Sequence, residues 1–274
     1  MNQTTELRII ELATKLRFKS LKMAFEAGKN GAHLGGGLSL VEVFATLYGG
    51  IASVDSKSPD KETRDRIIVS KGHCVLPYYS VLNELGFISD EELAGFETNG
   101  APLYGHATRN LSFGIEFSGG SLGLGLSYAI GVALACKIGN RKNRIYVIVG
   151  DGECNEGIVW EALMSATHFS LDNLTVIIDH NKLQYDGNVA AIMNMASYKE
   201  KLEAFGFHVI DVDGHNIVEL YEAFQNNISG KPSAIIANTI KGKGVSFMEN
   251  KKEWHFSTLT QEQYNQAISE QVNK

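Results

Sequence analysis

Residues 144–187 read RIYVIVGDGECNEGIVWEALMSATHFSLDNLTVIIDHNKLQYDG. The β-branched run 145–149 is too short for a helix and predicts a buried strand. It stops at Gly150-Asp151-Gly152. Helical spacing returns over 156–169, with Ile158, Ala162, Leu163 and Ala166 on one face. A second apolar run, 174–178, ends at Asp179-His180-Asn181. Strand, helix, strand is a βαβ unit, whose two strands run parallel. Asp151 and Asn181 therefore follow the carboxyl ends of two strands of one sheet. If these strands are neighbours, both side chains open into one crevice, where open α/β sheets bind ligands.

Asp and Asn are both oxygen donors, and no Cys or His stands nearby at ligand spacing. That donor set favours a hard cation, Mg²⁺ or Ca²⁺, over zinc. Mg²⁺ is commonly held by one or two protein groups together with ligand phosphates. Gly150 and Gly152 would let backbone N–H groups approach such a phosphate. The residues thus point to a metal–diphosphate site; taken alone, they also fit a strand-end turn with no ligand.

The chain has 274 residues, 44% of them hydrophobic and 20% charged, which suits one large α/β domain with its own core. A net charge of −6 gives no nucleic-acid footprint. Cys74, Cys136 and Cys154 are odd in number and lack CxxC spacing, which fits a reduced, cytoplasmic protein. Glu6 and Glu11 interrupt the first apolar residues, against a signal peptide, and no run reaches membrane-spanning length.

Elsewhere the pattern predicts an opening helix over 6–26 with Leu7, Ile10, Leu12, Leu16 and Leu21 inward. A glycine-rich loop, 31–37, carries His33, and Ser39 is read as the N-cap of a helix to Tyr48. A short strand, 66–70, leads to Lys71-Gly72-His73, with Lys71 read as solvated in preference to the alternative that it neutralises phosphate, and a helix follows over 75–85. Ser89 and Glu92 form a capping-box pattern. A loop bears His106, and the glycines of 119–123 precede a helix over 127–138. Strands are expected at 207–212 and 233–239, with helices at 198–205 and 217–227 and a last helix from about 260. His215 is read as structural. The expected fold is α/β, a mostly parallel sheet with helices on both faces, in a single domain spanning 1–274 with its core at about 10–260.

GDGECNEGIVWEA followed by NLTVIIDHNKLQYDG resembles the thiamine diphosphate motif, GDG and then Asn about thirty residues on; the EG-x-x-WEA form is that of transketolases. The resemblance covers about residues 10–260 and implies the thiamine diphosphate-binding fold. It implies Mg²⁺ (or Ca²⁺) ligated by Asp151, Asn181 and the backbone carbonyl of Leu183, with Asn181 also at the cofactor and Gly152 against its diphosphate. GAHLGGG matches the family segment in which His33 contacts the donor sugar and Gly36 the thiamine ring. DRIIVSKGH implies that His73 lies near diphosphate and substrate, and PLYGH implies the same of His106 for cofactor and substrate. GGSLG places Gly120, Ser121 and Leu122 along the cofactor. KGKG and the later WH imply that Lys241 approaches the cofactor and His255 the donor. Glu156 matches a subunit-contact Glu in a carboxylate network between paired active sites. His33, His106 and His255 are the candidate acid–base groups. Tyr185 stands where the family has an aliphatic residue.

The implied reaction transfers a two-carbon ketol unit from a ketose phosphate to an aldose phosphate. Two further transketolase domains find no counterpart here, and no Glu can be assigned to the cofactor's pyrimidine. The expectation is the N-terminal subunit of a split transketolase, with a C-terminal partner supplying the pyrimidine-binding and C-terminal domains in an α₂β₂ assembly. Alternatives are a deoxyxylulose-phosphate synthase-like enzyme, an enzyme of branched or sulfonated sugars, a 2-oxo acid dehydrogenase subunit, and a non-catalytic cofactor-binding scaffold. The first lacks EG-x-x-WE, and the 2-oxo acid dehydrogenase subunit lacks the two Gly-His pairs.

Overall fold

A computed structural model describes residues 1–272. The chain opens with helix α1 (Gln3–Glu26), whose first turn is capped by the Asn2 side chain accepting from the Thr5 N–H at 2.8 Å. Helices α2 (Leu34–Leu38) and α3 (Val41–Thr46) follow, and then strand β1 (Arg66–Val69), α4 (Val75–Glu84) and α5 (Asp90–Ala94). The central unit is α6 (Leu124–Ile138), β2 (Ile145–Gly150), α7 (Gly157–His168) and β3 (Leu174–His180). The rest comprises α8 (Val189–Ile192), α9 (Tyr198–Ala204), β4 (His208–Asp213), α10 (Ile217–Gln225), β5 (Ser233–Asn238) and α11 (Gln261–Val272).

The five strands form one sheet in the order β1-β2-β3-β5-β4, and every pairing is parallel. Successive side chains of a strand face opposite sides of a sheet. Tyr146 and Ile148 of β2 accordingly join a core beneath α1, α3, α4 and α10, while Ile145, Val147 and Val149 join a second core beneath α6, α7 and α9. A strand buried on both faces needs a continuous apolar run, which is why β2 and β3 read so plainly. The same parity sends Asp179 to the α2 side and His180 towards Tyr198 of α9.

Three local expectations are corrected. The glycine-rich stretch is itself helical as α2, and Ser39 is its C-cap rather than the N-cap of the next helix: its backbone is helical and its hydroxyl donates to Asp179 at 2.7 Å. Burial holds this turn together where composition would not, since every residue from Leu34 to Leu40 is buried. Helix α6 starts at Leu124, three residues before the expected start, after Gly123 at φ +79°. On α1, Leu7 and Ile10 face solvent while Ile9 is buried with Leu16 and Leu21. Among the described residues no helix is long and apolar enough to cross a membrane.

Candidate active site

The register pairs Gly150 of β2 with Asp179 of β3, so Asp151 and Asn181 emerge side by side. Both line a cavity of about 320 Å³ together with Gly152, Leu183, Lys241 and His255. The Asp151 carboxylate accepts from the backbone N–H groups of Gly152, at 2.8 Å, and Lys182. The Tyr198 hydroxyl anchors the Asp151 carbonyl at 2.9 Å. Asn181 donates its amide to Asp179 at 2.9 Å, and its oxygen accepts from the Leu183 N–H at 3.0 Å. The Leu183 carbonyl accepts from Lys241 Nζ at 2.9 Å.

These oxygens suit a hard divalent cation. Burial, then the neighbouring Asp179, holds the Asp151 acid above its usual range, so a cation beside it would favour the ionised form. Among the described residues no group of three or more His, Cys, Asp or Glu could hold a metal ion, so a cation here would draw on Asn181 and the Leu183 carbonyl beside the one carboxylate. A Cβ on Gly152 would stand 2.8 Å from the Gln184 Cβ, so this turn admits only glycine.

Behind the crevice lies a buried charge network. Lys71 is 2% exposed, which corrects the reading of it as solvated; its ammonium pairs with Asp179 and donates to the Gly36 carbonyl at 2.8 Å. Asp179 also accepts from Ser39, Asn181 and Thr239. Burial opposes its charge, yet Lys71 and these donors leave its acid below the usual value. Glu153, equally buried, accepts from Ser70, from the Gly123 N–H at 2.8 Å and from the Gly150 N–H at 3.0 Å. It thereby ties the 119–123 loop to the ends of β1 and β2.

Four histidines gather at the mouth. The Ala32–Ser257 bridge, with hydrogen bonds of 2.9 and 3.0 Å, brings His33 to His255. Ala107 bonds to both Gly72 and Gly119, which brings His106 to His73 and the glycine loop. The His33 ring lies 5.4, 5.1 and 5.5 Å from the centroids of His73, His106 and His255. His33 Nδ1 is buried and has no hydrogen-bond partner among the described residues. Burial and then nearby cations push His33 down to about 4 and His255 to about 3, and hold His73 well below the ordinary value. All three are therefore neutral near pH 7, able to donate from one ring nitrogen and accept at the other.

The remaining expected residues sit at the edges. Gly36 lies under His73, whose Nε2 would be 3.0 Å from a Cβ there. Leu122 and Glu156 line the cavity mouth, and Glu156 is exposed at the start of α7. Gly120, at φ +132°, and Ser121 lie exposed outside the cavity lining. Tyr185 is 68% exposed with its ring 5.2 Å from His255. His215 is structural as expected, its Nε2 accepting from the Ile240 N–H at 2.8 Å and its Nδ1 2.9 Å from Glu42. Sequence reasoning missed Asp179 and Glu153. The one signal for either was a charged side chain abutting a glycine turn or closing an apolar strand.

A sequence model of the family described as transketolase, thiamine diphosphate binding domain, matches residues 11–271. The 6-deoxy-6-sulfo-D-fructose transketolase subunit SqwG of Clostridium sp. (strain MSTE9) is 42% identical over 248 residues, covering 89% of this chain and 90% of that protein. An apulose-4-phosphate transketolase subunit of Phocaeicola vulgatus is 38% identical over 267 residues, covering 97% of this chain and 94% of that protein. The solved transketolase of Campylobacter jejuni superposes with a TM-score of 0.89 at 31% identity; the overlap covers 99% of this chain and 43% of that one. With its all-parallel sheet and the crevice at the strand ends, the chain belongs to the transketolase family, as its thiamine diphosphate binding domain.

Proposed function

We propose that residues 1–274 form the diphosphate-binding subunit of a two-chain transketolase, acting only with a C-terminal partner in an α₂β₂ complex. The observation that carries this reading is the convergence of three oxygen donors, two buried lysines, His73 and His255 on one crevice, with His33 against both histidines and His106 against His33. Asp151, Asn181 and the Leu183 carbonyl would hold Mg²⁺ against the diphosphate, with Gly152 giving the phosphate close approach. When bound, thiamine diphosphate supplies a carbon nucleophile and an electron sink for breaking the bond beside a ketose carbonyl. Lys71 and Lys241 offset phosphate charge. The neutral histidines at 33 and 255, together with His106, orient sugar hydroxyls and exchange protons with them. Glu156 stands at the mouth, where a second subunit would meet it.

The donor is proposed to be a ketose with an anionic group at its far end. The two subunit relatives are named for a sulfonated and a phosphorylated sugar, and they match this chain over most of their length. Ketol transfer should be assayed with this chain co-purified with the chain encoded beside it. The assay contains thiamine diphosphate and Mg²⁺, with ribose 5-phosphate as acceptor. Donors are xylulose 5-phosphate, apulose 4-phosphate and 6-deoxy-6-sulfofructose. Turnover by the pair and by neither chain alone is expected. Turnover by this chain alone would overturn the split-enzyme reading.

A further inference from the structure

Lys241 has 1% of its surface exposed, yet its ammonium reaches two groups on different segments. Nζ lies 2.9 Å from the Leu183 carbonyl and 2.9 Å from His255 Nδ1. A carbonyl oxygen only accepts, so one N–H of the ammonium is committed there. An ammonium has three donors and no lone pair, so towards His255 it can only donate. Nδ1 must then be the bare nitrogen, and the single proton of the neutral ring sits on Nε2. Burial and then the charge of Lys71 lower the lysine to about 8, against the nearby carboxylates of Asp151 and Asp179, so near neutral pH the ammonium still prevails.

The lysine is also held along its length. A Cβ on Gly35 would stand 3.0 Å from Lys241 Cγ, 3.2 Å from Cε and 2.9 Å from the Trp254 carbonyl, so the backbone of α2 lies directly on the stem. The Gly242 N–H donates to Gly35 O, and the Asn250 N–H to Lys241 O, each at 2.9 Å. The side chain cannot swing aside without displacing α2 or the 250–254 turn.

We infer that Lys241 is a positioning residue that fixes His255 as its Nε2–H tautomer and ties that ring to the Leu183 carbonyl. The donor-side imidazole then keeps its N–H on the nitrogen that Lys241 does not occupy, in a ring packed 4.9 Å from His73 and 5.5 Å from His33. Its orientation is set by the turn that carries the proposed metal ligands. The importance of His255 rests on the function proposed above; its tautomer does not.

The test is a long-range ¹H–¹⁵N correlation spectrum of the imidazoles in the ¹⁵N-labelled full chain at neutral pH. Comparison with His255→Asn assigns the His255 signals. The wild-type ring is expected to show the Nε2–H pattern alone. In Lys241→Met, of similar length and without donors, its nitrogen shifts should move towards the averaged values of a ring exchanging between tautomers. An Nδ1–H or averaged pattern in the wild type overturns the inference, and this reading stands even if the variant does not fold. A folded Lys241→Met chain with the wild-type pattern overturns it too. Ketol transfer is measured separately, so its failure beside an Nε2–H ring would remove the transketolase reading and leave the lysine–histidine link intact.

Discussion

Asp179 has no exposed surface and accepts from Lys71, Ser39, Asn181 and Thr239, which come from four separate segments. Removing one partner of a buried ion pair leaves an uncompensated charge, so Lys71→Met should destabilise the chain by about 3–5 kcal/mol. Urea unfolding checks this. Adding Asp179→Leu to Lys71→Met should recover part of the loss, because the orphaned carboxylate goes with it. The histidines set a pH dependence of opposite origin. His33 and His255 have folded values of about 4 and about 3, below the ordinary 6.5, so folding favours their neutral forms. Their contribution is complete above 6.5 and is lost as pH falls from there through the folded values. The urea midpoint should drop between pH 6.5 and 4, and His33→Asn should flatten that slope. That Asp151, His33, His73 and His106 lie near one crevice was legible in the sequence because each sits in a short motif with glycines, and Asn181 followed from the end of the second strand of the βαβ unit. The pair Lys71–Asp179 was not, because its partners are 108 positions apart and local composition does not report burial.

A backbone crossing helps set the shape of the crevice. A Cβ on Gly119 would lie 2.6 Å from the Gly72 Cα, so the loop before α6 rests on the turn that carries His73. Gly119→Ala must push these segments apart, at a cost of about 1–3 kcal/mol in an overpacked site. It should also weaken thiamine diphosphate binding, which titration calorimetry would read. Helix α5 provides the control. Ser89 accepts from the Glu92 N–H at 3.1 Å and donates its own N–H to the Glu92 carboxylate at 2.8 Å. Ser89→Ala should cost about 1 kcal/mol of stability and leave cofactor affinity unchanged. The capping box was evident from its four-residue spacing, and the βαβ unit from its two β-branched runs. Helix α2 was not evident, because LGGGL has neither apolar periodicity nor helix propensity. Tertiary packing holds it: a Cβ on Gly37 would meet Pro77 Cδ at 3.1 Å, and one on Gly35 the lysine stem.

Across the whole molecule, buried charge divides between the two ends of the sheet. At the amino end of β1, Arg64 and Arg66 close on the buried Glu116. At the carboxyl ends of the strands stand Lys71, Asp151, Glu153, Asp179 and Lys241, all nearly without exposure. At the carboxyl ends Lys71 and Asp179 pair, whereas Asp151 and Glu153 have no cation paired with them among the described residues. Burial raises the acids of Asp151 and Glu153 above their ordinary values. A carboxyl with a raised folded value loses its contribution as pH climbs from the unfolded value through the folded one, so at neutral pH both groups weigh against the folded state. A divalent cation bridging Asp151 to a diphosphate would relieve that penalty. Mg²⁺ with thiamine diphosphate should therefore raise the melting temperature more than either alone. At ligand concentrations of 100 times Kd, linkage gives about 2.7 kcal/mol, or roughly 5–10 °C for a chain of this length. Differential scanning fluorimetry with and without EDTA measures the gain. Asp151→Asn keeps the side-chain volume and removes the charge, so it should melt at or above the wild type without ligand and lose most of the gain with it. Ser89→Ala should melt lower in both conditions and keep the full gain. An undiminished gain in Asp151→Asn would put the metal somewhere other than the end of β2.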